Sequence, residues 1–133
     1  MTQPRLPALD ELLQQDLDYI CANLGAEFGR LAGKQLLITG GAGFLGYYLV
    51  KSALHFNRTA GRDQPIRVTV WDNFIRGTPQ WLTELHGTPH LTVERYDLIE
   101  PLPAAMPDFQ WIIHAAGIAS PPFYRKYPLR TID

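Results

Sequence analysis

The chain is poor in the residues that several large function classes require. It holds one cysteine, Cys21, which excludes an internal disulfide and any cysteine-rich zinc site and fits a reducing compartment. It has no excess of either charge: the formal net charge is −1, with acidic and basic residues interspersed, so no broad electropositive face is expected to gather nucleic acid or anionic lipid. A secretory leader needs a basic start and an apolar stretch, whereas the first twenty residues carry Asp10, Glu11, Asp16 and Asp18. The most apolar window, Leu36 to Val50, is short and broken by four glycines, and does not read as a membrane span. His55, His86 and His90 form no metal-ligand pattern. The expectation is a cytoplasmic globular protein that binds neither nucleic acid nor membrane.

What is present is the apolar material for one core. Apolar residues make up 46% of the 133 and charged residues 19%, a globular balance, but the length is too small for a nucleotide domain plus a full substrate domain. Between Pro7 and Leu31, Leu9, Leu12, Leu13, Leu17, Ile20, Leu24, Phe28 and Leu31 recur at three- and four-residue steps. That spacing predicts one amphipathic helix, an extension over residues 1–33 that packs on the domain or on a partner subunit. Cys21 lies near its apolar face and reads as packing, not as a nucleophile.

From residue 34 to 133 the pattern alternates. Gln35–Thr39 reads as a short buried strand, Phe44–Phe56 as a helix, residues 57–65 as a loop and Ile66–Trp71 as a second strand. A helix is expected over Pro79–His86, with Thr78 as its N-cap and Pro79 in its first position. Leu91–Glu94 and Trp111–His114 read as further strands, joined by a Pro-rich connection. Apolar strands alternating with helices predict an α/β, Rossmann-type doubly wound parallel sheet covered on both faces, here only its N-terminal half.

The chemistry is carried by Thr39-Gly-Gly-Ala-Gly-Phe-Leu-Gly46, which follows a strand and opens a helix. Gly40 permits the tight turn, Gly43 lets backbone approach a pyrophosphate, and Gly46 allows close helix packing. The phosphates are expected at the helix N-terminus, where unpaired amides and the helix dipole favour negative charge. Asp72 follows the second strand, where a Rossmann carboxylate accepts the adenosine ribose hydroxyls; it stands 26 positions beyond Gly46, the loop through Gly61 accounting for the length. A carboxylate there repels a 2′-phosphate and favours NAD over NADP, while the nearby guanidinium of Arg76 could accommodate that phosphate. Asp97, after the third strand, is placed to reach the adenine amino group. Ala115-Ala116-Gly117 ends the fourth strand with small residues that let backbone lie close to a cofactor, and His114 at the same strand end reads as a buried, hydrogen-bonded structural histidine.

Taken together, the runs TGGAGFLG, WDNFIRG, RYDLIEPL and HAAGIASPPFYRKYP resemble the extended short-chain dehydrogenase/reductase family, the NAD-dependent epimerases and dehydratases of nucleotide sugars. Asp72-Asn73-Phe74 and Ala119-Ser120-Pro121-Pro122 resemble more narrowly the UDP-glucuronate decarboxylases within it, a lyase group. The resemblance implies that Gly40, Gly43, Phe44 and Leu45 hold the pyrophosphate, that Asp72 holds the ribose, and that Asn73, Phe74, Arg76 and Gly77 line the adenosine side. It implies that Asp97 and Leu98 meet the adenine, that Ala115 and Gly117 border the NAD, and that Ser120 and Tyr124 stand near the nicotinamide and a nucleotide-sugar substrate.

The chain departs from the decarboxylase pattern at Arg76 and Pro103, where a threonine and a tyrosine are usual, and at Tyr127, where an asparagine precedes the proline. Asp133 falls where a substrate-contacting lysine is expected, and a carboxylate there would oppose an anionic sugar. The sugar stays open. The family chemistry also needs a Tyr-x-x-x-Lys pair on a later helix, with the tyrosine as base on a sugar hydroxyl. Tyr47 and Lys51 match that spacing, but in the phosphate-binding helix, at the wrong end of the dinucleotide, so no catalytic residue is assigned. The expectation is an inactive N-terminal part of a nucleotide-sugar enzyme. The competing reading is a non-catalytic nucleotide-binding or partner-binding module, its first helix covering the sheet edge or forming a homodimer.

Overall fold

The computed structural model describes residues 8–118 and 120–129. The expectations placed on Pro7, Ala119 and Asp133 therefore lie outside the described residues. Four strands, β1 (Gln35–Thr39), β2 (Arg67–Asp72), β3 (Leu91–Arg95) and β4 (Trp111–His114), form one all-parallel sheet in the order β3-β2-β1-β4. The helices are α1 (Leu9–Asn23), α2 (Gly25–Leu31), α3 (Phe44–Arg58), α4 (Gln80–Thr83) and α5 (Pro121–Lys126). This is the expected α/β, Rossmann-type order for the first strands of a doubly wound sheet. Among the described residues no helix is long and apolar enough to cross a membrane.

The core lies on one face of β1 and β2. Register pairs Leu36 with Val68 and Ile38 with Val70, and side chains paired across a parallel ladder share a face. All four are buried together with Val50, Ala53, Leu54 and Phe56 of α3, so the strands and the helix between them close on each other. The return from α3 to β2 is fixed at a single side chain: the Asn57 amide donates to the Ile66 carbonyl at 2.8 Å, and its oxygen accepts the Ile66 amide at 2.7 Å. Ile66 is thereby buried without a place in the ladder.

The extension is two helices, not one. Leu24 leaves the helical region at φ −112° and ψ 29°, and α2 starts afresh at Gly25. The apolar spacing runs through the break unaltered, because both helices turn a side toward α3, and a hydrophobic period does not register a change of axis. Phe28 of α2 stacks on Phe56 of α3 with ring centroids 5.3 Å apart, inside the same core. Four polar contacts fasten α1 to α3, one of them between Gln14 Nε2 and His55 Nδ1 at 3.5 Å. The Tyr48 hydroxyl donates to Asp16 at 2.9 Å, His55 Nε2 meets Asp18 at 2.7 Å, and the Cys21 thiol reaches the Ser52 carbonyl at 3.6 Å.

Two further expectations need correction. The helix after β2 runs only over Gln80–Thr83, and Pro79, not Thr78, is its N-cap: the Pro79 carbonyl already accepts from Leu82 and Thr83. A proline at the cap itself, with its carbonyl starting the ladder, costs the helix nothing and moves the start by one residue. The sheet is also not covered on both faces. β1 and β2 are buried, whereas β3 and β4 are mostly exposed, Ile112 at 58%. The connection from β3 to β4 crosses without regular structure and covers only part of the second face, where Trp71 packs against Tyr96 and Phe109.

Candidate functional site

Because all four strands are parallel, their C-terminal ends lie side by side, and the order in which strands are added reverses at β1: β2 and β3 follow on one side, β4 on the other. Such a switch point opens a crevice at the strand ends. The segments that meet there are the glycine turn after β1, the loop after β2, the start of the loop after β3, and Ala115 to Gly117 after β4.

Each glycine of the turn has a different surrounding. Gly40 stands at φ +67°, and a Cβ on it would lie 2.5 Å from the Ala116 Cα, so a side chain is excluded by backbone conformation and by the neighbouring strand. A Cβ on Gly46 would fall inside the Gly41 carbonyl, which is how the first turn of α3 packs directly on the loop. Gly43 differs. It is exposed, and a Cβ on it would meet only the Gly40 carbonyl at 3.2 Å. Its bareness faces solvent at the mouth of the crevice, where a ligand can approach the backbone.

Gly43 is the N-cap of α3, and the first helical bond runs from the Tyr47 amide to the Gly43 carbonyl at 3.2 Å. The amides of Phe44, Leu45 and Gly46 therefore precede the ladder and carry the positive end of a 15-residue helix. The Phe44 side chain is 88% exposed at that end. Beside it a shallow apolar pocket of about 450 Å³ is lined by Ala42, Gly43, Phe44, Tyr47, Tyr48 and Trp81.

Asp72 joins the turn to the second strand. It is the last residue of β2, and its two oxygens accept different backbone amides: Ala42 on Oδ2 at 3.1 Å and Phe74 on Oδ1 at 2.8 Å. The Ala42 contact had no local signal in the sequence, since its partners are thirty residues apart. One carboxylate thus shares a crevice with Gly43, fixes the turn and retains lone pairs for a hydroxyl, because each carboxylate oxygen accepts more than one bond.

The loop after β2 is shaped by its own side chains. Asn73 Oδ1 accepts the Ile75 amide at 3.1 Å, Phe74 takes φ +53°, and Gly77, at φ +81°, closes the loop through a 2.8 Å bond to the Phe74 carbonyl. Asn73 also donates to Asp97 at 3.2 Å, which brings the carboxylate that follows β3 beside the loop after β2. Leu98 follows it, half-buried.

On the far side of β1, the Ala115 amide bonds to the Thr39 carbonyl at 3.0 Å, and Ala116 supplies the backbone that Gly40 needs bare. Gly117 has open space around it. Ser120 is the N-cap of α5, its carbonyl accepting from Phe123 and Tyr124, and Tyr124 is exposed on that helix. His114 is hydrogen-bonded through Nδ1 to the Thr39 hydroxyl at 2.7 Å, but it is exposed and not buried as expected, for the same reason that β4 is. Tyr47 and Lys51 lie together on α3, with the ammonium 5.7 Å from the ring centroid and Tyr47 edge-on to Trp81.

The family model described as NAD dependent epimerase/dehydratase family matches residues 36–133. Among curated proteins the chain is similar to UDP-glucuronic acid decarboxylase 6 of Arabidopsis thaliana, 35% identical over 98 residues that cover 74% of this chain and 26% of the relative. It is similar to UDP-glucuronic acid decarboxylase 2 of the same plant, 29% identical over 96% of this chain and 27% of the relative. It also matches UDP-glucuronic acid decarboxylase 1 of Danio rerio, 33% identical over 74% of this chain and 21% of the relative. The chain spans about a quarter of the length of the curated relatives it matches.

Proposed function

Given that this chain belongs to the NAD dependent epimerase/dehydratase family, we propose that it is the cofactor-binding part of a nucleotide-sugar-modifying enzyme of the decarboxylase, epimerase or dehydratase type. The observation that carries the reading is the bond from the Ala42 amide to Asp72. It places a glycine turn with free helix amides and an acceptor carboxylate in one crevice, the two features that a dinucleotide's diphosphate and its neighbouring ribose require.

The residues fit the group. The amides of Phe44 and Leu45 face a diphosphate with the dipole of α3 behind them, and the bare Gly43 backbone leaves room for it. Asp72 accepts the ribose hydroxyls, and Asn73 and Asp97 border the adenine. Asp72 also opposes a 2′-phosphate, which selects NAD. Ala115 and Gly117 allow close passage toward the end of β4, where Ser120 and Tyr124 stand on the nicotinamide and sugar side. A bound NAD would supply the hydride acceptor and donor for a transient oxidation at sugar C4. Proton transfer at the sugar needs a tyrosine base outside the pattern found in this chain, so the 133 residues alone bind cofactor without turning over a nucleotide sugar.

Calorimetric titration with NAD and with NADP tests this. NAD should bind in preference, and Asp72→Ala should weaken it by about tenfold or more, the value of a charge-assisted hydrogen bond of about 1.5–3 kcal/mol. Equal or absent binding of both dinucleotides, indifferent to that substitution, sinks the reading. Incubation with UDP-glucuronate should release no carbon dioxide from this chain alone.

A further inference from the structure

We infer that Arg76 and Phe123 form a strap across the mouth of the cofactor crevice that slows exchange of the dinucleotide. This rests on the reading of the crevice as a dinucleotide site. Arg76 lies four residues beyond the end of β2, and Phe123 lies on α5, beyond β4. The sheet order sets β1 between those strands, so their ends stand two strand spacings apart, about 10 Å, with the glycine turn between them. Yet the Arg76 guanidinium carbon is 5.5 Å from the centroid of the Phe123 ring. The contact therefore joins the loop after β2 to the helix beyond β4, the two segments that flank the end of β1 in the strand order, and a strap there spans the path of a dinucleotide from the Asp72 side to the β4 side.

The contact is presented by a stiff mount. The loop after β2 is tied by the Asp72, Asn73 and Gly77 bonds described above, and Phe74 lies under the Arg95 guanidinium at 5.7 Å. On the other side the Phe123 amide bonds to the Ser120 carbonyl at 2.9 Å in the first turn of α5. Among the described residues Arg76 makes no ion pair, and the Phe123 ring is the partner it has. Arg76 is also a point of departure from the decarboxylase pattern, and Phe123 fills the unspecified position of the Ser-Pro-Pro-x-Tyr run, so the strap is a property of this chain. A bound dinucleotide lies beneath it. The strap opens to admit the ligand and opens again to release it, so it lowers both rates.

An exposed cation–π contact is strong enough to alter such rates by about two- to fivefold. Stopped-flow binding of NADH, followed by its fluorescence, to the wild-type chain, Arg76→Ala, Phe123→Ala and the double variant reads this directly. Each single substitution should speed association and dissociation together by that factor, and the double variant should be no faster than either. Unchanged rates overturn the strap, as do additive effects. If Arg76→Ala slows association while Phe123→Ala does nothing, Arg76 acts as a charge that attracts phosphate and the strap is refuted. Without cofactor, amide hydrogen exchange over residues 120–127 should rise by a similar factor in Arg76→Ala; no rise refutes the contact whatever NADH does. Failure of the wild-type chain to bind NADH at all, with that exchange effect present, refutes instead the cofactor reading and the strap's role in it.

Discussion

The two halves of the sheet are built from similar apolar strands and end in opposite states. β1 and β2, with α3 between them, are closed: Leu36, Ile38, Val68 and Val70 share one buried face with the helix, and α1 and α2 complete the cover. β3 and β4 keep the same ladder, but most of their side chains face water, only Leu91 and Ile113 packing in part against the core. The difference divides the crevice. The side formed by the glycine turn and Asp72 belongs to the closed unit and is held by contacts to backbone within that unit. The side formed by Ala115 to Gly117 hangs on β4 and α5, which have little packed behind them. Rigidity in a binding site comes from what supports it, so the two sides of this crevice should respond differently to mutation.

The widest gap is expected between two isoleucines in neighbouring strands. Ile38→Ala removes a fully buried side chain from the closed unit and should cost about 4 kcal/mol in urea unfolding. Ile112→Ala, on the exposed β4, should cost about 0.5 kcal/mol or less. Equal losses would mean that β4 is buried in solution and would erase the comparison. The next effect sharpens it within the glycine turn. Gly46→Ala pushes a methyl group into the Gly41 carbonyl and should destabilise by about 3 kcal/mol, while Gly43→Ala, whose methyl meets only the Gly40 carbonyl at 3.2 Å, should cost about 1 kcal/mol or less and reduce NAD affinity. A calorimetric titration beside each melting curve separates the two roles.

That division also explains what could be read from the sequence. β1 and β4 were legible to the residue, and α3 to within two positions at its end, because each is marked by local pattern and by a glycine turn with one structural solution. Asp72 was legible as a crevice residue because it ends a strand. Its bond to Ala42 was not, since a pairing across thirty residues leaves no trace in spacing. The break at Leu24 was hidden because both helices present apolar residues to the same neighbour. The exposure of β4 was hidden for a different reason: Ile112 and Ile113 record that cover suits this strand, and an apolar residue cannot report whether the cover is there. His114 shares that exposure, while its bond to Thr39 is of the kind a hydrogen-bonded structural histidine makes.

A smaller effect tests how firmly α1 belongs to the closed unit. His55 is buried at the α1–α3 contact, and its Nε2 has the Asp18 carboxylate as partner at 2.7 Å. Asp18→Ala leaves that nitrogen facing a protein surface without its acceptor and should cost about 1–2 kcal/mol, the penalty for a buried polar group left unpaired. Asp10→Ala, on the exposed side of the same helix, is the control and should fall within about 0.5 kcal/mol. If both variants unfold with the wild-type chain, α1 is an appendage and the closed unit begins at α2.

The smallest effect follows from the one thiol, which sits at the same contact. Burial first, and the Asp18 carboxylate second, push the Cys21 pKa above its ordinary value. The unfolded chain therefore releases this proton before the folded one does. Below the ordinary thiol pKa of about 8.5 both states are protonated and the group adds no pH dependence; above it, stability falls as pH rises toward the folded value. Urea unfolding at intervals between about pH 7.5 and 9.5 should show that decline in the wild-type chain and a shallower one in Cys21→Ala, the upper limit being kept low because the hydrogen bond to Asp16 raises Tyr48 in the same sense. Thiol labelling at pH 7.5 should likewise be slower than in the unfolded chain and should quicken in Asp18→Ala, which both lowers the thiol pKa and loosens α1. Identical pH slopes with and without the thiol would place Cys21 outside the packed contact, and the boundary of the closed unit would then run between α1 and α3 instead of along the far side of α1.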